Sequence, residues 1–158
     1  MFLLFLALQA TPAPVQAPAS TMPPAFVAQT ADLATASVVS GFCVSLGWRA
    51  GSAAVIDTEL DRLSSLHGVS GSDARILVLR QIADAGEALK ARFAVDASRP
   101  PDQASRLAFL DQVEAYARSS CAETATAFPG LFAGDITSNQ ALVDARIAAV
   151  RQQTLAQP

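Results

Sequence analysis

Residues 37–51, SVVSGFCVSLGWRAG, lie within the stretch that decides the fold of this chain. Between Asp32 and Arg49 no side chain is charged, and apolar residues recur every three or four positions. That spacing is typical of one face of a helix. A membrane span needs about 20 apolar residues, and this stretch is shorter and rich in Ser, Thr and Gly. We therefore predict a bundle helix over 26–46 and no stable membrane span.

The rest of the chain is also predicted to be helical. Alanine, the best helix former, supplies 33 of the 158 residues, and only 6% are aromatic. We predict an all-α domain over 26–158, a bundle of four or five helices with the N-terminal helix at its centre. The other predicted helices cover about 52–66, 72–95, 101–128 and 137–155, the last one capped by Thr137 or Ser138. In the third, the predicted buried side comprises Ile76, Leu79, Ile82 or Ala83, Gly86, Leu89 and Phe93.

The first 25 residues have the features of an export signal and a leader. Phe2–Leu8 is a short apolar run, and Ala17-Pro18-Ala19 matches the small-residue pattern of a cleavage site. We predict a signal peptide over 1–19, a disordered Pro/Ala-rich leader over 20–25, and a periplasmic or secreted protein. Because no basic residue precedes the apolar run, a frayed N-terminus on a cytosolic protein is the alternative.

The chain contains two cysteines, Cys43 and Cys121, each on the predicted buried side of a helix. In an exported protein an even number of cysteines favours a disulfide, and two buried free thiols are the alternative. Both cysteines lie late in their helices. An up-down-up-down bundle would therefore hold them about 20 Å apart, which no disulfide can bridge. We expect a non-classical topology, a steep helix crossing or an intermolecular bond, and we favour the first.

Charge and motifs exclude several classes of function. The net charge is −3 and the 11 basic residues are scattered, which argues against nucleic-acid binding. His67 is the only histidine, so we expect no metal site, and no cofactor motif or G-x-S-x-G elbow occurs. We predict no catalytic residue. Carboxylates at helical spacing have ordinary expected partners: Asp84 with Arg80, Glu87 with Lys90, and Glu114 with Arg118.

Aromatic residues beside glycine-containing turns are the candidates for binding a protein partner. Trp48 and Arg49 are of the residue types enriched in binding hot spots, and Phe128 and Phe132 flank a second apolar loop. The alternative is that these side chains cap the core. Tyr116 is a further candidate.

Three functions are consistent with these patterns. The first is a small exported, non-catalytic module that binds an unknown protein partner as an inhibitor, adaptor or chaperone-like factor. The second is a membrane-associated or oligomeric structural subunit that uses the small residues Ser37, Gly41 and Ser45. The third is an enzyme of envelope polymers with dispersed carboxylates such as Asp57, Asp61 and Glu114. The sequence leaves the oligomeric state open.

Overall fold

A computed structural model describes residues 22–94 and 101–156, so the predicted signal peptide lies outside the described residues. The all-α prediction is confirmed: within the described ranges, an isolated bridge between Ala50 and Phe132 is the only β pairing. Helices α4 and α5 are joined by a π-helical turn, and we call this continuous helix the α4–α5 rod. The elements are α1 (Pro24–Leu46), α2 (Ala54–His67), α3 (Gly71–Arg92), α4 (Gln103–Tyr116), the π turn (Ala117–Cys121), α5 (Ala122–Ala127) and α6 (Ile136–Ala156).

Helix boundaries follow the chemistry of the terminal residues. Helix α1 begins at Pro24, two residues before the predicted start, because proline is favoured in the first turn. Gly68 adopts the left-handed conformation (φ 65°) that ends α2, as its position after His67 indicates. Ser70 caps α3, since its hydroxyl accepts a hydrogen bond from the Asp73 N–H, so the helix begins one residue before the predicted start at 72.

The predicted cap of the last helix is wrong. Asp135 precedes α6, and its Oδ1 accepts a hydrogen bond from the Ser138 N–H at 2.8 Å. Its Oδ2 also accepts from the Ser138 hydroxyl at 2.7 Å. An aspartate at this position satisfies a free N–H of the first turn, so the helix starts earlier than a Thr137 or Ser138 cap would allow.

Helices α1, α2 and α3 form one half of the molecule. Helix α2 runs antiparallel to α1, because His67 at its end bonds Gln29 near the start of α1 (2.9 Å). Helix α3 runs parallel to α1: Gln81 donates to the Val27 carbonyl at 2.9 Å. Further along, the rings of Phe42 and Phe93 stack 5.6 Å apart. The core that α1, α2 and α3 share contains Phe26, Leu33, Leu60, Leu63, Ala74 and Val78.

The α4–α5 rod and α6 form the other half and run antiparallel. Gln103 at the start of the rod donates to the Thr154 carbonyl near the end of α6 (3.1 Å). Arg118, late in the rod, pairs with Asp144 at 3.0 Å. The second core cluster joins this half to the end of α1 and contains Ala36, Val39, Cys43, Trp48, Ala117, Cys121, Leu131, Phe132, Val143 and Ile147.

The two halves are joined covalently where the rod meets α1. The ring of Tyr116 lies 5.3 Å from that of Phe42, and Cys121 forms a disulfide with Cys43 across 5.9 Å between Cα atoms. Both cysteines are fully buried. The bond is intramolecular although α2 simply reverses the direction of α1. It is compatible with the fold because the rod reaches α1 late, near the C-terminal ends of both elements.

Helix α1 is long and apolar enough, by length and composition, to cross a membrane. Core helices of soluble proteins and signal sequences meet the same criteria. In this fold Phe26, Leu33, Val39 and Cys43 of α1 are buried against the other helices.

Candidate functional site

Two loops pair at the end of the molecule where α1 terminates. We call residues 48–52 and 128–134 together the end cap. The Gly51 N–H donates to the Leu131 carbonyl at 3.0 Å, and the Ala133 N–H donates to the Arg49 carbonyl at 3.0 Å. A Cβ at Gly51 would clash with the Gly130 carbonyl oxygen, so the close approach of the two backbones requires glycine.

The end cap contains all four residues predicted to bind a partner. Trp48 is 2% exposed and Phe132 is 8% exposed, with their rings edge to face 4.7 Å apart. Phe128 is half-buried and packs against both core clusters. Only Arg49 of the four is exposed. Burial of the aromatic rings favours the alternative that they cap the core.

Asn139 organises the end cap, and sequence reasoning missed it. It is 1% exposed; its Oδ1 accepts from the Arg49 N–H (3.0 Å), and its Nδ2 donates to the Ala133 carbonyl (2.9 Å). One amide therefore holds both loops. A signal was present in the sequence, because Asn139 continues the buried row of Val143 and Ile147 one turn towards the start of α6.

The candidate catalytic carboxylates lie in different parts of the fold. Glu114 accepts hydrogen bonds from Arg118 and Arg151, each at 2.9 Å. The pKa of both guanidinium groups is raised by these hydrogen bonds and by the one that Arg151 donates to Asp111 (2.7 Å). Because this network joins the rod to α6, Glu114 has a structural role.

The carboxylates of α2 are on the surface. Asp57 and Asp61 are exposed. Between them, Glu59 pairs with Arg62 at 2.6 Å, and the hydrogen bond from that guanidinium lowers the pKa of Glu59. The arrangement is that of a solvated helix face with a local ion pair.

Tyr116 lies at one end of an open groove of about 210 Å³ between α1 and α3. The guanidinium carbon of Arg92 is 4.7 Å from the centre of the Tyr116 ring, which is a cation–π contact. Phe93 packs edge to face on the same ring at 5.4 Å. These contacts hold the end of α3 against the rod.

The row of small residues on α1 is open. Gly41 and Ser45 are exposed, and a Cβ at Gly41 would meet nothing within 4 Å in the described part of the chain. Ser37, the third residue of the row, is half-buried, so only Gly41 and Ser45 lie at the surface.

The predicted buried side of α3 is partly wrong. Ile76 is 52% exposed and Leu79 is 66% exposed, whereas Ala74 and Val78 are buried. Helix α3 carries apolar residues on more than one side, and only the side towards α1 and α2 is covered. The covered side carries Ala74 and Val78, with Leu77 and Ile82 partly buried beside them, and Ile76 and Leu79 lie on the side away from this core cluster. We call the residues Ile76, Leu79, Ala83 and Gly86 the outer face of α3.

Charged residues border this outer face. Arg80 and Glu87 are exposed beside it. The predicted Arg80–Asp84 pair does not form within 4.0 Å in the described structure, whereas Glu87 and Lys90 pair at 2.7 Å, as predicted. An apolar stripe with charged edges is typical of a surface that packs against another helix.

Comparisons with protein-family models, curated proteins and solved structures found no match to this chain.

Proposed function

We propose that this protein is a small exported helical module that acts by binding another protein through the outer face of α3, without catalysis. The observation that carries the proposal is the exposure of Ile76 and Leu79, two large aliphatic side chains one helical turn apart. Single exposed apolar residues are common, but adjacent ones on a charged-edged helix face provide anchors for a partner.

The disulfide supports export. Cysteine pairs stay oxidised in the periplasm and outside the cell, and are kept reduced in most cytosolic compartments. The apolar N-terminal run and the Ala17-Pro18-Ala19 pattern support the same compartment. The intact mass of protein from its host, alkylated without reduction, tests this: we expect loss of the first 10 or 19 residues and no alkylated cysteine. A full-length chain with two alkylated cysteines would refute export.

The placement of the charged side chains supports a non-catalytic role. Glu114 is held by two arginines, Glu59 by Arg62, and Asp102 and Asp135 serve as helix caps. Groups engaged in this way stabilise helices and their contacts, whereas a catalytic acid or base needs a perturbed pKa in a cleft.

Photo-crosslinking in host cells tests the binding surface. A benzophenone side chain at Leu79 is expected to capture a partner, whereas the same group at Leu142, exposed on α6, is expected to capture far less. Equal capture at both positions would indicate collision rather than a surface. The absence of an adduct at Leu79 would refute the proposal.

A further inference from the structure

The groove between α1 and α3 has mostly aliphatic walls. It encloses about 210 Å³ and is lined by side chains of both helices. Because its α3 residues are on the side of the helix turned towards α1, the groove is on the opposite side of α3 from the outer face. Its aliphatic lining consists of Val38, Val39, Ala85, Ala88 and Leu89.

Arg92 places a positive charge at the end of the groove that Tyr116 closes. Its guanidinium carbon lies 4.7 Å from the centre of the Tyr116 ring, and both residues line the groove. This cation–π contact holds the guanidinium in place and leaves its N–H groups able to donate hydrogen bonds. In the described part of the chain Arg92 forms no ion pair within 4.0 Å, in contrast to Arg62, Arg118 and Arg151.

The nearest carboxylates along the two helices are at the other end of the groove. Asp84 directly precedes Ala85, and Asp32 lies one turn before Thr35, which also lines the groove. Asp84 is eight residues, or about 12 Å, from Arg92 along the helix axis. An anionic group in the groove is therefore attracted to the Arg92 end and repelled from the opposite end.

We infer that this groove binds a single-chain amphiphile with a carboxylate head group, of the fatty-acid type. The head group lies at Arg92, and the alkyl chain lies along the aliphatic walls. A ligand site that is mostly apolar, with one polar group that fixes the orientation, has this composition. A helix is about 10 Å across and does not fit into a groove of this volume, whereas an extended alkyl chain is thin enough.

This inference goes beyond the proposed function, because it concerns a small ligand on another side of α3. The partner surface at Ile76 and Leu79 does not depend on it. Failure of the experiments below would leave the crosslinking at Leu79 to be judged by itself.

NMR titration of the purified, oxidised protein with decanoate, below the concentration at which it forms micelles, tests the inference. We expect saturable shifts of the Val38 and Leu89 methyl signals, with intermolecular NOEs from the decanoate chain to the same methyl groups. Decyltrimethylammonium has the same chain with the opposite charge and is expected to bind at least about fivefold more weakly. The absence of saturable shifts would overturn the inference. Equal binding of the two amphiphiles would overturn it as well, because apolar contact alone would then account for the binding.

Removal of the cation tests the placement of the head group. Arg92→Gln is expected to raise the dissociation constant of decanoate about fivefold and not to weaken the binding of decyltrimethylammonium. Lys90→Gln removes an exposed cation of α3 outside the groove and should change the affinity for decanoate by less than about twofold. An unchanged affinity in Arg92→Gln would refute the assignment of Arg92 to the head group.

Filling the groove tests the placement of the chain. Ala88 is exposed and lines the groove, so Ala88→Leu is expected to leave the circular dichroism spectrum unchanged. It is expected to raise the dissociation constant of decanoate about tenfold, because the added side chain occupies the space of several methylene groups. Ala83→Leu makes the same change on the outer face and should have little effect. If both variants weakened binding equally, the chain would not lie in this groove.

Discussion

The end cap and the outer face of α3 both contain large apolar side chains, but those of the end cap are buried and those of α3 are exposed. In the end cap, Trp48 and Phe132 are buried against each other and against α6. On α3, Ile76 and Leu79 are more than half exposed. Both regions looked apolar in the sequence, so composition alone does not separate a surface that seals the core from one that remains free.

The difference lies in the constraints that converge on each region. The two loops of the end cap are fixed by their backbone pairing and by the side chain of Asn139. The disulfide lies in the same core cluster as Trp48 and Phe132. The outer face of α3 receives no hydrogen bond or covalent link from another element of the described chain. The first region therefore stabilises the fold, and the second is where we propose that binding occurs.

Removing the disulfide, which lies next to the end cap, is expected to have the largest effect on the free energy of unfolding. Cys43 and Cys121 are separated by 78 positions, and in the chain-entropy model such a crosslink stabilises by about 4.5 kcal/mol. Replacement of both cysteines by alanine should lower the free energy of unfolding by that order, measured by urea denaturation. A loss below about 1 kcal/mol would show that the packing at this end is sufficient without the bond.

A pair of truncations compares the two regions directly. Trp48→Ala empties a buried site and is expected to cost about 3 to 5 kcal/mol of unfolding free energy. Leu79→Ala removes exposed surface and is expected to change it by less than about 0.5 kcal/mol. The same denaturation experiment measures both. A comparable loss for Leu79→Ala would mean that the outer face supports the fold, which contradicts its assignment as a binding surface.

Local chemistry made much of the fold predictable. Alanine content and helical spacing predicted an all-α chain, and α2 ends at His67, close to the predicted boundary at 66, where Gly68 adopts the left-handed conformation that few other residues adopt. Two cysteines on apolar helix faces predicted the disulfide. These inferences depend on neighbours within one or two helical turns, or on chemistry with a single partner.

The rest depends on contacts between distant segments. The pairing of Gly51 with Leu131 and the two bonds of Asn139 join parts of the chain far apart in sequence, which no local pattern shows. The π turn before Ala122 also lacks a sequence signal. For α3, the sequence contained two apolar sides, and only the position of α1 and α2 decides which one is buried.

Substitution of Asn139 tests the end cap with a smaller expected loss of stability. Asn139→Ala removes the part-buried hydrogen bonds to the Arg49 N–H and the Ala133 carbonyl, each of which contributes about 0.5 to 1.5 kcal/mol. We expect a total loss of about 1 to 3 kcal/mol and, by hydrogen exchange, faster exchange of the Arg49 amide. Gln140→Ala, which removes a local bond to Asp144, should cost about 0.5 kcal/mol or less. Equal losses would contradict the role of Asn139 in joining the two loops.

The smallest expected effect comes from the helix caps and appears only in acid. A hydrogen bond from the Ser105 backbone N–H lowers the pKa of Asp102, and one from the Ser138 N–H lowers that of Asp135. Because the folded pKa lies below the unfolded value, these caps stabilise fully above about pH 4. Their contribution is lost as the pH falls through the folded pKa. The melting temperature should therefore decrease as the pH is lowered below about 4.

Substitution of a cap separates its contribution from general acid destabilisation. Asp135→Asn can still accept the hydrogen bond from Ser138 but does not titrate, so its melting temperature should depend less on pH below about pH 4 than that of the unaltered protein. Asp61→Asn, an exposed carboxylate within α2, is the matched control and should keep the original dependence. If both substitutions flatten the curve equally, the acid sensitivity comes from overall charge and not from the cap that starts α6.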